Sequence, residues 1–360
     1  MEGNVLLISP ESWGISFVSK HHYAQALARL GFSVFFLNPP RSAFAREEIE
    51  PNLVVLSYRV TFRGLNRLPV FLRKVLMRIE VQRLRRYFQI EDLDLVWSFD
   101  PFRFQDLALF KAKKSIYQSV DWHRTARERD ITLSADLLLV TSAILKKRLS
   151  NWRPEEEVHN IGHGLAEHFL STHTNSVRKE IKVGLVGNLA YPFLDTATLL
   201  DILKANKDVT FHFVGPETSN LGKGNTDHWI KEAKSLANVS FLGPYKSEEL
   251  PDVLAQFDFF LICYDTTKYR EHLGNPHKVL EYLSTGKAVV SHFISEYETK
   301  ELLLMVEDND HLPALFRSVV ENLELYNAEP LIKKRLSFAQ ANTYKMKVKQ
   351  IFELLEHVPG

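Results

Sequence analysis

The sequence predicts an α/β protein built from two successive parallel-sheet units. Three observations carry that expectation. Short apolar, strand-like runs alternate with helical stretches from the N-terminus onward, the alternation restarts in the second half, and Gly or Pro closes several of the runs. The length agrees, because 360 residues exceed what one core usually holds.

Residues 5–9 read as the first strand and 20–30 as a helix stopped by Gly31. The strand at 33–37 ends in Pro39-Pro40, and runs at 53–57, 95–98, 115–119 and 137–141 follow, with a helical stretch at 71–88. The run at 158–161 leads into Gly162-His163-Gly164, and the polar residues 171–179 look like a linker. Beyond it, strands at 181–186, 210–214, 239–242, 259–263 and 288–292 alternate with helical segments at 198–204 and 247–256. The final stretch, 331–358, reads as a helix long enough to cross back over the first unit. The expected division is therefore 1–165, 166–340 and a returning helix at 341–360. Strands separated by helices imply right-handed crossovers.

Hydrophobic content of 45% and charged content of 25% are those of a soluble globular protein. A single cysteine, Cys263, excludes an intramolecular disulfide and a cysteine-cluster metal site, and is compatible with a reducing cytoplasm. The apolar start at 4–8 has no basic region before it, so it reads as a strand rather than a signal peptide. No run approaches the roughly 18 apolar residues of a membrane span, so any membrane contact is expected from the surface. Residues 1–165 hold 24 Lys+Arg against 18 Asp+Glu and the remainder 21 against 26, a change of sign that falls at the expected domain boundary.

The most informative segment is 275–290: Asn275 and Pro276, a short helix carrying Lys278 and Glu281, a stop at Gly286, and the run Ala288-Val289-Val290. Pro276 suits a helix start, since its missing N–H is one the first turn leaves unused. Lys278 and Glu281, three apart, share a face near the helix's positive end. A cation and a carboxylate held there suit a nucleoside diphosphate, with charge for phosphate and an acceptor for ribose hydroxyls. An ordinary surface Lys–Glu pair is the alternative. Open parallel sheets bind ligands beyond the carboxyl ends of their strands. That rule singles out residues 9–16, Asp100 and Asp121-Trp122-His123, then Gly187-Asn188, Gly215-Pro216, 243–246 and Tyr264-Asp265.

Asp121 has two readings: a carboxylate positioned for an acceptor hydroxyl, or the cap of a helix over 124–130. His123 divides between a role beside it and a plain surface histidine. Ser12-Trp13-Gly14 follows the first strand, where Gly14 permits close backbone approach. His21-His22 belong on the first helix rather than to a metal, and Asp265 reads as structural. Residues 59–86 hold nine basic side chains against Glu80 alone, with Leu72, Val75, Leu76 and Ile79 on one helical face between Arg73, Lys74, Arg78 and Arg83. Such a helix over 71–88 either lies on anionic lipid or packs on the core with a solvated basic face. Nucleic-acid binding is not expected, because no reading motif accompanies the basic patch.

Taken together, these passages resemble the GT-B glycosyltransferases, and most closely the retaining group called family 4, of bacterial teichuronic-acid or capsule type. Ile116-Tyr117-Gln118-Ser119-Val120-Asp121 resembles its strand ending in aspartate. Residues 136–145 resemble its Thr-Ser segment, Ile161-Gly162-His163-Gly164-Leu165 with Phe169 its inter-domain passage, and residues 275–290 its Pro-x-Lys-x-x-Glu-Tyr-Leu block. The resemblance implies two Rossmann-like domains facing across a cleft, with acceptor and nucleotide-sugar halves. It implies donor contacts at Gly187, Asn188, Gly215, Tyr245, Tyr264, Asn275, His277, Lys278, Val279 and Glu281, and acceptor-side contacts at Ser12, Trp13 and Gly14. Lys278 would stabilise the departing diphosphate, with Asp121 and His123 beside the acceptor. No metal and no cofactor are implied. The partners are a UDP- or GDP-sugar donor and a glycan or lipid-linked acceptor, at a cytoplasmic location peripheral to the plasma membrane.

The sequence departs from the pattern at Leu273, eight positions before Glu281, where relatives carry another glutamate; Glu271 and His272 lie close by. The loop after Val186 lacks the basic residues of many relatives, leaving Gly187-Asn188 backbone and Lys278 for the diphosphate. A related inverting family uses a comparable lysine, which keeps inversion with Asp121 as base open. An epimerase of the same fold and a catalytically silent binding subunit are the other readings.

Overall fold

The computed structural model describes residues 3–14, 17–62, 64–65, 68–123, 125, 127–170, 180–218, 226–269 and 273–358. The expected linker at 171–179, residues 15 and 16 of the first loop, Arg63, Arg67, Arg124, Glu271 and His272 lie outside the described residues. Two compact units are present: Met1–Gly162 with Tyr344–Gly360, and His163–Thr343.

The first unit runs β1 (Asn4–Ile8), α1 (Ser19–Arg29), β2 (Ser33–Leu37), β3 (Ala45–Glu50), β4 (Leu53–Ser57), α2 (Val70–Phe88), β5 (Leu95–Ser98), β6 (Lys114–Ser119), α3 (Glu128–Ser134), β7 (Leu137–Val140), α4 (Ala143–Leu149) and β8 (Val158–Asn160). Its sheet has the order β3-β4-β2-β1-β5-β6-β7-β8. Every pairing is parallel except that of the edge strand β3 with β4. Central β1 is buried from Val5 through Ile8, as a strand covered on both faces must be. Strand order reverses between β1 and β5, so the loops after these two strands flank a crevice. The charged β3 escaped the sequence reading because Ala45–Glu50 has no apolar period; an exposed edge tolerates and benefits from that charge.

Helix α2 buries Met77, Val81, Leu84 and Phe88 against the core and ends at left-handed Gln89 (φ 55°). The apolar face expected from sequence is a different one: Leu72, Val75 and Ile79 are exposed. The stretch 331–358 is not one helix either. It is broken into α11 (Glu329–Ala341) and α12 (Tyr344–Glu356), where Leu165 N–H donates to Asn342 O at 2.8 Å and the chain leaves the second unit for the first. Helix α12 packs on α1, with Tyr344 edge-on to Tyr23 and Phe352 against Phe32, each at 4.9 Å between centroids.

The second unit runs β9 (Ile181–Val186), α5 (Thr196–Ala205), β10 (Val209–Val214), α6 (Thr226–Lys234), β11 (Val239–Gly243), α7 (Leu250–Leu254), β12 (Phe259–Ile262), α8 (Lys278–Leu283), β13 (Ala288–His292), β14 (Leu304–Val306), α9 (Leu312–Glu321), α10 (Leu323–Tyr326) and α11. Its six parallel strands lie in the order β11-β10-β9-β12-β13-β14, reversing between β9 and β12. The helix expected over 247–256 is a 3₁₀ turn, Ser247–Glu249, followed by α7, whose first turn accommodates Pro251. No described helix is long and apolar enough to cross a membrane.

Candidate functional site

In the second unit the site forms where β9 and β12 part. These strands pair only through Phe259–Val183 and Phe260–Gly184, so the end of β9 lacks a ladder partner on that side. The Tyr282 hydroxyl of α8 takes its place: it accepts from Val186 N–H at 2.7 Å and lies 3.2 Å from Val186 O. Its ring stacks on Phe260 at 4.2 Å and 7°. Val279, Leu280, Tyr282 and Leu283 are all buried, so α8 is fixed by its apolar side with its opposite face outward. Gly286 ends the turn with φ 74°, and a Cβ there would meet Ile332 at 2.7 Å.

Lys278 and Glu281 occupy the outward face and form a 3.0 Å ion pair, with side chains 17% and 14% exposed. His277, at the N-terminal end of α8, places Nε2 4.0 Å from Glu281, while Asn275 O meets His163 Nε2 at 2.9 Å. His163 and His277 approach to 6.2 Å between ring centroids. His163 was not among the expected contacts; the sequence placed it only in the passage leading into the second unit.

Three glycines line the neighbouring strand ends. Gly187 N–H donates to Val214 O and Gly215 N–H to Gly243 O, each at 2.9 Å. A Cβ on Gly215 would lie 1.8 Å from Gly187 O, so this close approach requires glycine. Asn188 caps its own loop through Ala190 N–H at 3.0 Å. Tyr245 is exposed beyond β11. Tyr264 follows β12; burial, with the nearby Tyr191 and Glu281, pushes its phenol up to about 12. Leu273 is buried, 5% exposed, and presents no polar group.

Below these residues is a polar layer that sequence reasoning missed. Asp195 caps α5 through Thr198 N–H (3.2 Å) and accepts from Asn309 Nδ2 (2.8 Å), which also donates to Tyr264 O (2.8 Å). His292 Nδ1 accepts from Tyr264 N–H at 3.4 Å, and burial lowers its pKa to about 4, so the ring is neutral. Burial opposes ionisation of Asp265, but hydrogen bonds from Lys268 and Thr267 prevail and hold its pKa at about 2; it is a turn cap.

In the first unit, a buried guanidinium organises the strand ends. Arg103 pairs with Asp100, donates to Ser9 O and Asn38 O, and reaches the Tyr58 hydroxyl at 3.4 Å. Asn38 Oδ1 in turn accepts from Trp13 N–H at 2.8 Å. Trp13 packs on Phe36 (4.9 Å) and on His21 (5.3 Å), whose Nε2 lies 3.3 Å from Ser12 O. Burial is the main cause lowering His21 to about 4, so His21 is a neutral support for the Ser12-Trp13-Gly14 loop. Gly14 is exposed at φ 85°.

Asp121 is exposed just beyond β6, and His123 is half-buried against Phe102 at 5.1 Å. Asp121 caps no helix, because α3 begins at Glu128 with Arg127 before it. The segment is held by Arg148, which lies over the Trp122 ring at 4.4 Å, donates to His123 O and pairs with Glu128 at 2.6 Å. Glu128 also accepts from the hydroxyls of Tyr117 (2.9 Å) and Ser119 (3.0 Å). Among the described residues no group of three His, Cys, Asp or Glu side chains converges as a metal site would.

Solved structures share this architecture along nearly its full length. Sucrose-phosphate synthase of Thermosynechococcus elongatus is 15% identical with a TM-score of 0.71, covering 99% of this chain and 100% of its own. HepE of Anabaena, in complex with UDP and glucose, is 16% identical with a TM-score of 0.70 and the same coverage. The lipopolysaccharide outer core galactosyltransferase WaaB, in its apo form, is 13% identical with a TM-score of 0.66, covering 98% and 99%. At these identities the likeness is one of fold, and the fold is GT-B. No curated protein sequence matches the chain. Residues 180–324, which lie within the second unit, match the family Glycosyl transferases group 1, a match that supports a glycosyltransferase.

Proposed function

We propose that the protein transfers a sugar from a UDP- or GDP-sugar to a glycan or lipid-linked acceptor in cell-envelope polysaccharide synthesis. The observation that carries this reading is the Lys278–Glu281 pair, held on the outward face of α8 by the Tyr282–Val186 contacts at the sheet's switch point. That is where an open parallel sheet receives a nucleotide. Glu281 receives ribose hydroxyls, Lys278 places positive charge where the departing diphosphate gains negative charge, and the backbone at Gly187 and Gly215 lets the phosphates approach closely. Tyr264, Tyr245, Asn275, His277 and Val279 complete the donor contacts. The HepE complex with UDP and glucose supports a UDP-sugar among the donors.

Asp121 and His123 act at the acceptor, with Ser12, Trp13 and Gly14 along its path. We propose a retaining transfer without metal, in which Asp121 positions the acceptor hydroxyl; inversion with Asp121 as base is the alternative, and the anomer of the product decides. The exposed apolar side chains of α2 beside Lys74 and Arg78 support work at the inner face of the plasma membrane.

The test is incubation with a panel of UDP- and GDP-sugars and a membrane extract, followed by measurement of free UDP or GDP. Release that depends on the extract and survives chelator supports the reading. Sugar interconversion without nucleotide release, or nucleotide binding without turnover on any acceptor fraction, would overturn it.

A further inference from the structure

Asp121, Trp122 and His123 belong to no strand or helix: β6 ends at Ser119 and α3 begins at Glu128. Among the described residues a single hydrogen bond reaches their backbone, the one Arg148 of α4 donates to His123 O. The guanidinium is occupied on three sides. One edge meets Glu128 Oε2 at 2.6 Å, another meets His123 O, and its face lies over Trp122 at 4.4 Å, with Trp152 at 5.9 Å. A lysine could still neutralise Glu128, but it has neither the planar fork nor the flat face that the other contacts use.

The fork is itself anchored. The Glu128 side chain is fully buried, and its Oε1 accepts from the Tyr117 and Ser119 hydroxyls of β6. On the far side, the His123 ring meets Phe102 edge-on at 72°, and Phe102 N–H is fixed by Asp100 Oδ1 at 2.7 Å. His123 is therefore held through its carbonyl from α4 and through its ring from the loop after β5. Stability is a poor reason for such a pair, because desolvation offsets most of the attraction between buried charges. An apolar contact between α3 and α4 would join them as well. What the guanidinium adds is direction, which an apolar contact does not supply to a loop.

We infer that Arg148 is a positioning residue for sugar transfer, setting Asp121 and His123 against the acceptor hydroxyl, with Glu128 as its buried anchor. The inference rests on the proposed acceptor role of Asp121 and His123 and adds what decides whether the acceptor or water receives the sugar. Without the fork, donor binding in the second unit is untouched and water can still take the sugar. The acceptor hydroxyl, which needs alignment, is the one that loses.

The experiment uses the full-length protein and the UDP- or GDP-sugar that gives nucleotide release dependent on membrane extract. Two rates are compared: release with extract, which reports transfer, and release without it, which reports hydrolysis. Arg148→Lys should lower kcat for transfer on the order of 10–100-fold and leave donor KM and hydrolysis unchanged. Adding Asp121→Asn to it should cost less than the product of the two single losses, because both act on one step. Glu128→Gln/Arg148→Met removes both charges together, so no buried charge is left alone, and should show the same selective loss. Amide exchange in β6 and β7 at the level of the unsubstituted protein reports that the first unit is folded. Transfer by the double Glu128/Arg148 variant at the unsubstituted rate overturns the inference. So do parallel losses of transfer and hydrolysis, which would mark a pair that only holds the fold. A silent Asp121→Asn beside an impaired Arg148→Lys overturns the reading of Asp121 and leaves His123 as the group that Arg148 positions. No release from any sugar by the unsubstituted protein overturns the transferase reading, and the inference with it.

Discussion

Lys278 and Glu281 form an ion pair that is only about one-sixth exposed, and such a pair responds differently to the loss of each partner. Lys278→Ala removes the charge proposed to meet the leaving diphosphate, so kcat/KM for the donor should fall about 10²–10³-fold. Glu281→Gln keeps the shape and leaves Lys278 free, so its effect should be mainly a higher donor KM with kcat changed little. Asp121→Asn should do the opposite, depressing kcat while donor affinity holds. Steady-state nucleotide release measures all three, and equal activity in all three variants would refute the site. The pair was legible in the sequence because three-residue spacing fixes a shared helical face. His163, His292 and Asn309 were not, because each meets its partner across more than 25 positions of chain.

The element that carries the proposed donor site is α8, and what holds it is one hydroxyl. Val186 has its N–H and C=O next to a strand gap, and Tyr282 answers both. Tyr282→Phe keeps the stacking on Phe260 but orphans two buried backbone groups, which should cost about 1–3 kcal/mol. Thermal unfolding should register that loss, and hydrogen exchange should show it concentrated at Val186. Gly215→Ala should be worse for function than for stability, because the methyl meets Gly187 O at 1.8 Å and pushes the two strand ends apart. UDP binding by calorimetry checks it. Strands and most helices were readable from apolar period and Gly or Pro stops. Helix α2 was read as helix correctly, yet its apolar face was misassigned, since two faces carry aliphatic residues and only packing chose Met77, Val81, Leu84 and Phe88. The break at Asn342 was invisible for a similar reason: the residues on both sides favour helix, and the change of unit ends it.

Across the molecule, each unit buries a histidine near its strand ends. His21 and His292 both have pKa values lowered from 6.5 to about 4, mainly by burial. Between those values the unfolded chain binds protons that the folded chain does not, so stability rises with pH across this window. It should be complete above about 6.5, fall by up to about 1.4 kcal/mol per pH unit for each histidine below that, and level off beneath about 4. Asp265, held at about 2, adds a further loss at still lower pH. Denaturant midpoints measured from pH 7.5 to 4 test this, and substituting His292 with Asn should flatten the curve for the second unit.

The sequence by itself determined the alternating α/β pattern, the restart that makes two units, and the short helix that carries Lys278 and Glu281. These follow from local period and from residues that stop helices, which neighbours in the chain decide. Only the tertiary structure decided where the strand order reverses, which face of α2 meets the core, and that Tyr282 rather than a strand partner completes β9. Those outcomes depend on pairings between segments far apart in sequence, where burial and hydrogen-bond satisfaction select among arrangements that local propensity leaves equal.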